Sequence, residues 1–325
     1  MSVTNTEMKR SGIEGRAHVV LYRRSFHGTA FRGKDVQTMD SLWINAPAKI
    51  NLGLDVLRRR EDGYHEVKMI MQSIRLFDRL TLTKSKTPGI HLTTNLGFLP
   101  VNEDNLVYKS AKLLMDEFQI DTGLDISLDK RIPVAAGMAG GSTDAASCML
   151  ALNRLFDLKL SQKELMKRGV TLGADIPYCI MKGTALSEGI GEILSPLPKA
   201  PDCYVLIAKP GFHVSTKFVY TNLKLDDKTD HPDIDRMIQD IKKNDLYGLC
   251  DHMANILETV TIPEHPEIAD IKKTMLEHGA IGSLMSGSGP TVFGIFDDLD
   301  KAKAAKEKCR RLPYHCFVFV TDLYR

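Results

Sequence analysis

The segment Pro133-Val134-Ala135-Ala136-Gly137-Met138-Ala139-Gly140-Gly141-Ser142-Thr143 has the residue types of an anion-binding loop. Leu124–Ile132, before it, alternates apolar and polar residues as a strand does. Ala145, Ala146, Met149, Leu150 and Leu152, after it, fall at helical spacing in a run that reaches Phe156. A small-residue loop feeding a helix leaves main-chain N–H groups without partners. The helix dipole adds roughly half a positive charge at that end. Phosphate is the usual guest of such a nest. Close packing would also explain Gly137, Gly140 and Gly141. No Lys-Ser or Lys-Thr follows the glycines, so this is not a P-loop, and Gly-x-Gly-x-x-Gly does not occur. Ser142 or Thr143 is expected to cap the helix.

Two isolated charges carry the next chemistry. Lys49 is flanked by Ala48 and Ile50. A lysine there either snorkels to solvent or meets a phosphate or carboxylate. Asp175 lies in Gly-Ala-Asp-Ile-Pro, where an aspartate commonly bonds its own turn. The functional alternative is a general base kept ionised by a nearby ammonium. Tyr64 and His65 follow an Asp-Gly turn and offer a flat surface for a base, or simply pack on a neighbour. Tyr220 has the same two readings, and helical spacing alone makes it core. Ser286-Gly-Ser-Gly-Pro290 is a tight turn or a place where backbone approaches a ligand.

The elements that must position these groups follow from periodicity. Strands are expected at Trp43–Ala46 and Asn51–Leu57 on either side of Pro47-Ala-Lys49, then at Val67–Leu76, Arg79–Lys84 and Ile90–Thr94. A helix is expected over Asn102–Phe118, capped by Asn102 or Asp104. Ser161-Gln-Lys-Glu164 is a capping box opening another. Leu172–Tyr178 reads as a turn into a strand, and Thr184–Ile193 as that strand. Pro196, Pro198 and Pro201 mark a domain boundary. Beyond it a buried strand at Cys203–Ala208 leads to a helix capped by Ser215 or Thr216. Helices are expected at Asp233–Lys243, Asp245–Glu258, Pro266–His278 and Leu299–Arg311, and strands at Ile281–Met285, Thr291–Phe296 and His315–Val320. Strands and helices interleave without regular repetition, which predicts an α+β fold of two domains, 39–198 and 199–325.

Bulk properties narrow the function. The 325 residues carry a net charge of +2, and residues 1–38 alone hold seven Lys/Arg against three Asp/Glu, leaving the rest net acidic. A nucleic-acid partner is therefore disfavoured. No apolar run approaches the roughly 18 residues of a membrane helix. Six cysteines without Cys-x-x-Cys spacing read as buried thiols of a reducing cytoplasm. Residues 1–38 are expected to be a disordered leader outside the fold. Ile13-Glu-Gly-Arg16 resembles a cleavage linker, and Met39 is a candidate functional start.

From about Leu42 to its end the chain resembles the GHMP kinase superfamily, which includes galactokinase, homoserine kinase and mevalonate kinase. That family carries three motifs in order, here Pro47-Ala-Lys-Ile-Asn-Leu52, Pro133–Ser142 and Ser286-Gly-Ser-Gly-Pro-Thr-Val-Phe293. Asp62-Gly-Tyr-His65 and Leu172-Gly-Ala-Asp-Ile-Pro177 resemble the branch whose acceptor carries a cytidine diphosphate. Met138 stands where Leu is usual. Ala139 stands where Gly often sits, which implies that this position does not need a positive φ.

The resemblance implies a GHMP kinase fold with its active site in the cleft between an N-terminal nucleotide-binding domain and a C-terminal domain. It implies ATP-dependent phosphorylation of the 2-hydroxyl of a cytidine-diphosphate-linked methylerythritol, a step of the non-mevalonate isoprenoid route. Carried over residue by residue, Asp175 is the base and Lys49 its charge partner. Pro133–Thr143 wraps the ATP phosphates, and Asn105 lies near adenine. Tyr64 and Tyr220 sandwich cytosine, His65 meets its edge, and Asn51 touches substrate. Mg²⁺ bridges the phosphates; its protein ligands stay open, with Ser142 a candidate. The expected partner is a small molecule, not a nucleic acid or a membrane. The alternatives are a homoserine- or mevalonate-type kinase and a non-catalytic nucleotide-binding protein.

Overall fold

The computed structural model describes residues 39–324. The leader expected over residues 1–38 lies outside them. Two long strands, β1 (Ser41–Arg59) and β2 (His65–Ser85), form the spine of the first half. Each joins two runs that periodicity separates, because bulges rather than breaks absorb the irregular residues. The β1–β2 ladder shifts register between Pro47 and Lys49, between Asn51 and Gly53, and between Val56 and Arg58. β2 then pairs on its other edge with two partners in turn. Its Arg79–Ser85 end meets β4 (Gly123–Asp129), and its Val67–Gln72 end meets β5 (Thr184–Gly189). β3 (Ile90–Thr94) and β6 (Ile193–Pro196) complete a sheet ordered β3-β4-β2-β5-β6, with β1 on β2.

Helices α1 (Leu106–Glu117), α2 (Gly140–Leu155), α3 (Gln162–Gly169) and α4 (Ile176–Met181) cover this sheet, with α2 against α1, α4 and β1. Asn105 caps α1, in place of Asn102 or Asp104. The capping box at Ser161 and Glu164 is present. The expected turn at Leu172–Tyr178 instead opens helix α4, whose first turn accommodates Pro177 because the missing N–H would be unpaired there.

The second sheet is antiparallel, ordered β10-β7-β9-β8, from β7 (Tyr204–Lys209), β8 (Gly282–Met285), β9 (Val292–Phe296) and β10 (Phe317–Asp322). Helices α9 (Glu267–Glu277) and α10 (Leu299–Arg310) pack on it. Ser215 caps α5 (Thr216–Asn222), and α6 (Ile234–Lys243) lies against β1 and β2. The single helix expected over Asp245–Glu258 is two, α7 (Leu246–His252) and α8 (Glu258–Glu264). Asn255 separates them, because the chain on either side of it pairs with Leu54 of β1: Ala254 accepts from Leu54 N–H at 2.9 Å and Ile256 donates to the Leu54 carbonyl at 3.0 Å.

The sheets share their packing. One buried cluster joins Ile50, Ile70 and Ile74 to Val205, Ile207 and Phe293, and a larger one also draws on both halves. All six cysteines are free, and burial pushes the thiols of Cys148, Cys203 and Cys250 up to about 12. Among the described residues no helix is long and apolar enough to cross a membrane.

Candidate active site

The first two bulges of β1 decide where two polar side chains point. Bulges re-aim side chains out of the regular alternation, and these bracket Lys49 and Asn51, which line a cavity of about 1020 Å³. Lys49 is only 5% exposed. Its ammonium donates to Asn51 Oδ1 at 2.7 Å, and Asn51 Nδ2 reaches Met69 Sδ at 3.2 Å. A snorkelling surface lysine is therefore not what is found.

Asp175 lines the same cavity from the N-cap position of α4. Its side chain makes no capping bond, so the carboxylate is not consumed by its own turn. Lys49 and Asp175 converge on one space without an ion pair within 4.0 Å. Buried Cys179, beside Asp175 and Lys49 electrostatically, has its thiol pushed up mainly by burial.

The aromatic wall differs from the expected sandwich. Tyr64, His65 and Tyr220 all line the cavity. Tyr64 is 61% exposed at the rim. The ring that meets Tyr220 is His65, with centroids 5.1 Å apart and planes tilted by 45°. Burial, and then the Arg59 guanidinium, hold the His65 imidazole below its ordinary value. Burial raises the Tyr220 hydroxyl, with a smaller push from Asp175.

The glycine-rich loop enters helix α2 by left-handed backbone. Ala139, not Ser142 or Thr143, occupies the N-cap position, with φ 54° and no side-chain cap. The expectation that residue 139 does not need a positive φ is thus wrong, and so is the expected hydroxyl cap. The first helical bond is Thr143 N–H to the Ala139 carbonyl at 2.9 Å. A helix end without a side-chain cap leaves its leading N–H groups for a ligand. Gly137 and Ala139 line the main cavity, while Pro133, Val134 and Ala135 line a separate groove of about 440 Å³. Ala136 and Met138 are buried in the core, and Thr143 is fully buried. Gly140 and Gly141 open α2, followed by half-buried Ser142. Asn105 is committed locally: Oδ1 accepts from Val107 N–H at 2.9 Å and Nδ2 donates to the Pro100 carbonyl at 2.8 Å.

The third loop backs onto the second. Ser286 Oγ donates to the Gly137 carbonyl at 3.0 Å, and Gly287 and Ser288 line the cavity. Asn255, 4% exposed, donates from Nδ2 to the carbonyls of Met285 and Gly287, both at 2.8 Å.

Residues 105–183 match the GHMP kinases N terminal domain, and residues 237–315 match GHMP kinases C terminal. A 4-diphosphocytidyl-2-C-methyl-D-erythritol kinase of Lachnoclostridium phytofermentans is 55% identical over 88% of this chain and 98% of its own length. One of Lachnospira eligens is 52% identical over 88% and 99%.

The chain belongs to the GHMP kinases.

GHMP kinases use ATP, and two solved structures bracket this one. A 4-(cytidine 5'-diphospho)-2C-methyl-D-erythritol kinase superposes with a TM-score of 0.76 at 32% identity, over 87% of this chain and 99% of the other. The homoserine kinase of Cytophaga hutchinsonii reaches 0.72 at 21% identity over 92% and 98%, which is likeness of fold. In this GHMP kinase the residues missed from sequence are the supports. Asn255 gave no signal because its partners are main-chain atoms distant in sequence. The buried trio Asp78, Lys130 and Asp144 was hidden because each member reads locally as an ordinary surface charge.

Proposed function

We propose that this chain transfers the γ-phosphoryl group of ATP to the 2-hydroxyl of 4-diphosphocytidyl-2-C-methyl-D-erythritol. The observation that carries this reading is the convergence of Lys49, Asn51, Asp175 and Gly137 with Tyr64, His65 and Tyr220 on one cavity. Relatives over half identical that bear this kinase's name support it. A homoserine- or mevalonate-type kinase would have no nucleobase for the aromatic wall.

In this reading Asp175 accepts the proton of the 2-hydroxyl as its oxygen attacks the γ-phosphorus. The bond from that phosphorus to the β,γ-bridging oxygen breaks, and ADP leaves. Lys49, positioned by Asn51, balances the charge around the carboxylate and the transferring group. The N–H groups at the start of α2 hold phosphate oxygens. Such positioning and neutralisation are the main demands of phosphoryl transfer. His65, neutral by its burial, meets the cytosine edge with the Tyr220 ring beside it and the Tyr64 ring at the rim. Among the described residues no group of three or more His, Cys, Asp and Glu is placed to hold a metal. Mg²⁺ would then be held by nucleotide phosphates and water, with the half-buried Ser142 hydroxyl at the start of α2 the candidate protein ligand. When bound, the ion would supply neutralisation of the phosphate charge.

The test is phosphorus NMR of ATP and Mg²⁺ with the cytidyl compound, homoserine and mevalonate in parallel. A new phosphomonoester signal with the cytidyl compound alone is expected. A signal with homoserine or mevalonate instead would move the enzyme to that branch.

A further inference from the structure

Beneath the glycine-rich loop lies a charged trio that the chemistry above does not use. Lys130, Asp78 and Asp144 are all almost fully buried. The Lys130 ammonium bridges Asp78 Oδ2 and Asp144 Oδ2, the second at 2.7 Å. Asp78 Oδ1 accepts from the N–H groups of Arg131 and Ile132, the latter at 2.8 Å. Lys130–Ile132 is the chain entering the loop, Asp144 lies in the first turns of α2 where the chain leaves it, and Asp78 is on β2. One ammonium therefore ties both ends of the loop to each other and to the sheet. The fit is close: a Cβ on Gly140 would lie 3.2 Å from Lys130 Nζ.

Stability does not account for this arrangement. Buried ion pairs replaced by apolar side chains of similar volume are often neutral or stabilising. Here the polar burden is larger still, since Asp144 Oδ1, Thr143 Oγ1 and Ser147 Oγ on the same stretch of helix are buried without partners. Burial alone would lower Lys130, but the Asp144 and Asp78 carboxylates outweigh it and keep the ammonium charged. What the trio supplies is a fixed distance between the loop's ends.

We propose that Lys130, clamped by Asp78 and Asp144, is a positioning residue for the nucleotide: it fixes the spacing between loop entry and α2 and so aims the N–H groups that hold phosphate. This rests on the reading that the loop binds ATP. The test compares wild type with two variants, Asp144→Asn and the apolar triple Asp78→Leu/Lys130→Met/Asp144→Leu. ATP binding is measured by calorimetry without acceptor, and the acceptor's KM is measured at saturating ATP. The triple variant is expected to fold and to bind ATP about tenfold more weakly, and Asp144→Asn about threefold, with the acceptor's KM within about twofold of wild type. A folded triple variant that binds ATP as wild type does, or that loses acceptor and ATP affinity equally, overturns the proposal. If the triple variant does not fold, Asp144→Asn decides by the same criterion. Wild-type protein that binds no ATP overturns the nucleotide reading itself, and the proposal with it.

Discussion

Lys49 donates its main-chain N–H to the carbonyl of Met138 at 3.2 Å. The strand that carries the ammonium and the glycine-rich loop are thus bonded to each other directly. Ser286 repeats the tie from the second sheet, through its bond to the Gly137 carbonyl. Three sequence motifs meet there through one main-chain bond and one hydroxyl-to-carbonyl bond, and the side chains of Lys49 and Asn51 line the cavity.

Lys49→Ala is expected to keep the backbone tie and lose the ammonium. Turnover should fall by about 10²-fold or more, while the KM for ATP changes little, because the loss is felt mainly in the transition state. Steady-state rates with ATP varied check this. A rate equal to wild type would reduce Lys49 to a structural neighbour of Asn51.

Asp175→Asn preserves shape and removes proton acceptance. General-base help is worth about 10²–10⁴-fold, and a loss in that range is expected in single-turnover rates, with ATP affinity by calorimetry intact. Retained turnover would take Asp175 out of the chemistry. Lost ATP affinity would assign it to nucleotide binding.

Much of this was legible from local sequence, for physical reasons that can be named. The capping box at Ser161 and the strand at Ile90–Thr94 are local and came through unchanged. Lys49 and Asp175 stood out because each is a charge among apolar or turn residues, and both line the cavity. What failed was set by tertiary contact. Ala139 takes a left-handed φ because the loop's packing overrides the cost of its Cβ. The helix expected over Asp245–Glu258 breaks because Asn255 serves β1 and the loop after Met285, neither of which lies near it in sequence. The trio under the loop needed three segments brought together before any member looked unusual.

Gly137→Ala should be costly at two points. The residue has φ 71°, and a Cβ there would lie 2.3 Å from the Ser286 carbonyl oxygen. The two loops would have to part, at an expected cost of about 1–3 kcal/mol. Urea unfolding checks the stability, and a weaker ATP isotherm is expected alongside. Wild-type values in both would mean that the loops separate freely.

His65 yields a pH dependence. Burial, with Arg59, lowers its pKa, so the ring charges only below the ordinary value of about 6.5. The acceptor's KM is expected to stay flat from about pH 8 to 6.5 and to rise below that range, with the rise absent in His65→Gln. A rise already between about pH 8 and 7 would contradict a neutral imidazole at the cytosine edge.

Lys182 affects stability away from the chemistry. Lys182 follows α4 with φ 65° and ψ −176°, a region that suits glycine. Burial lowers its pKa to about 8. The folded state therefore disfavours the charged form relative to the unfolded chain. Stability rises with pH between about 8 and 10.5, and below about 8 the penalty is present in full. Lys182→Gly removes both the buried charge and the strained backbone. Against that stand the greater freedom of glycine in the unfolded chain and the lost placement of Nζ 5.8 Å from the Tyr324 ring centroid. A net gain of about 1–2 kcal/mol at pH 7 is expected, shrinking as pH rises toward 10. Paired denaturant titrations at pH 7 and pH 9.5 measure it. A loss of stability at pH 7 would mean that the cation over Tyr324 outweighs the cost of burying it.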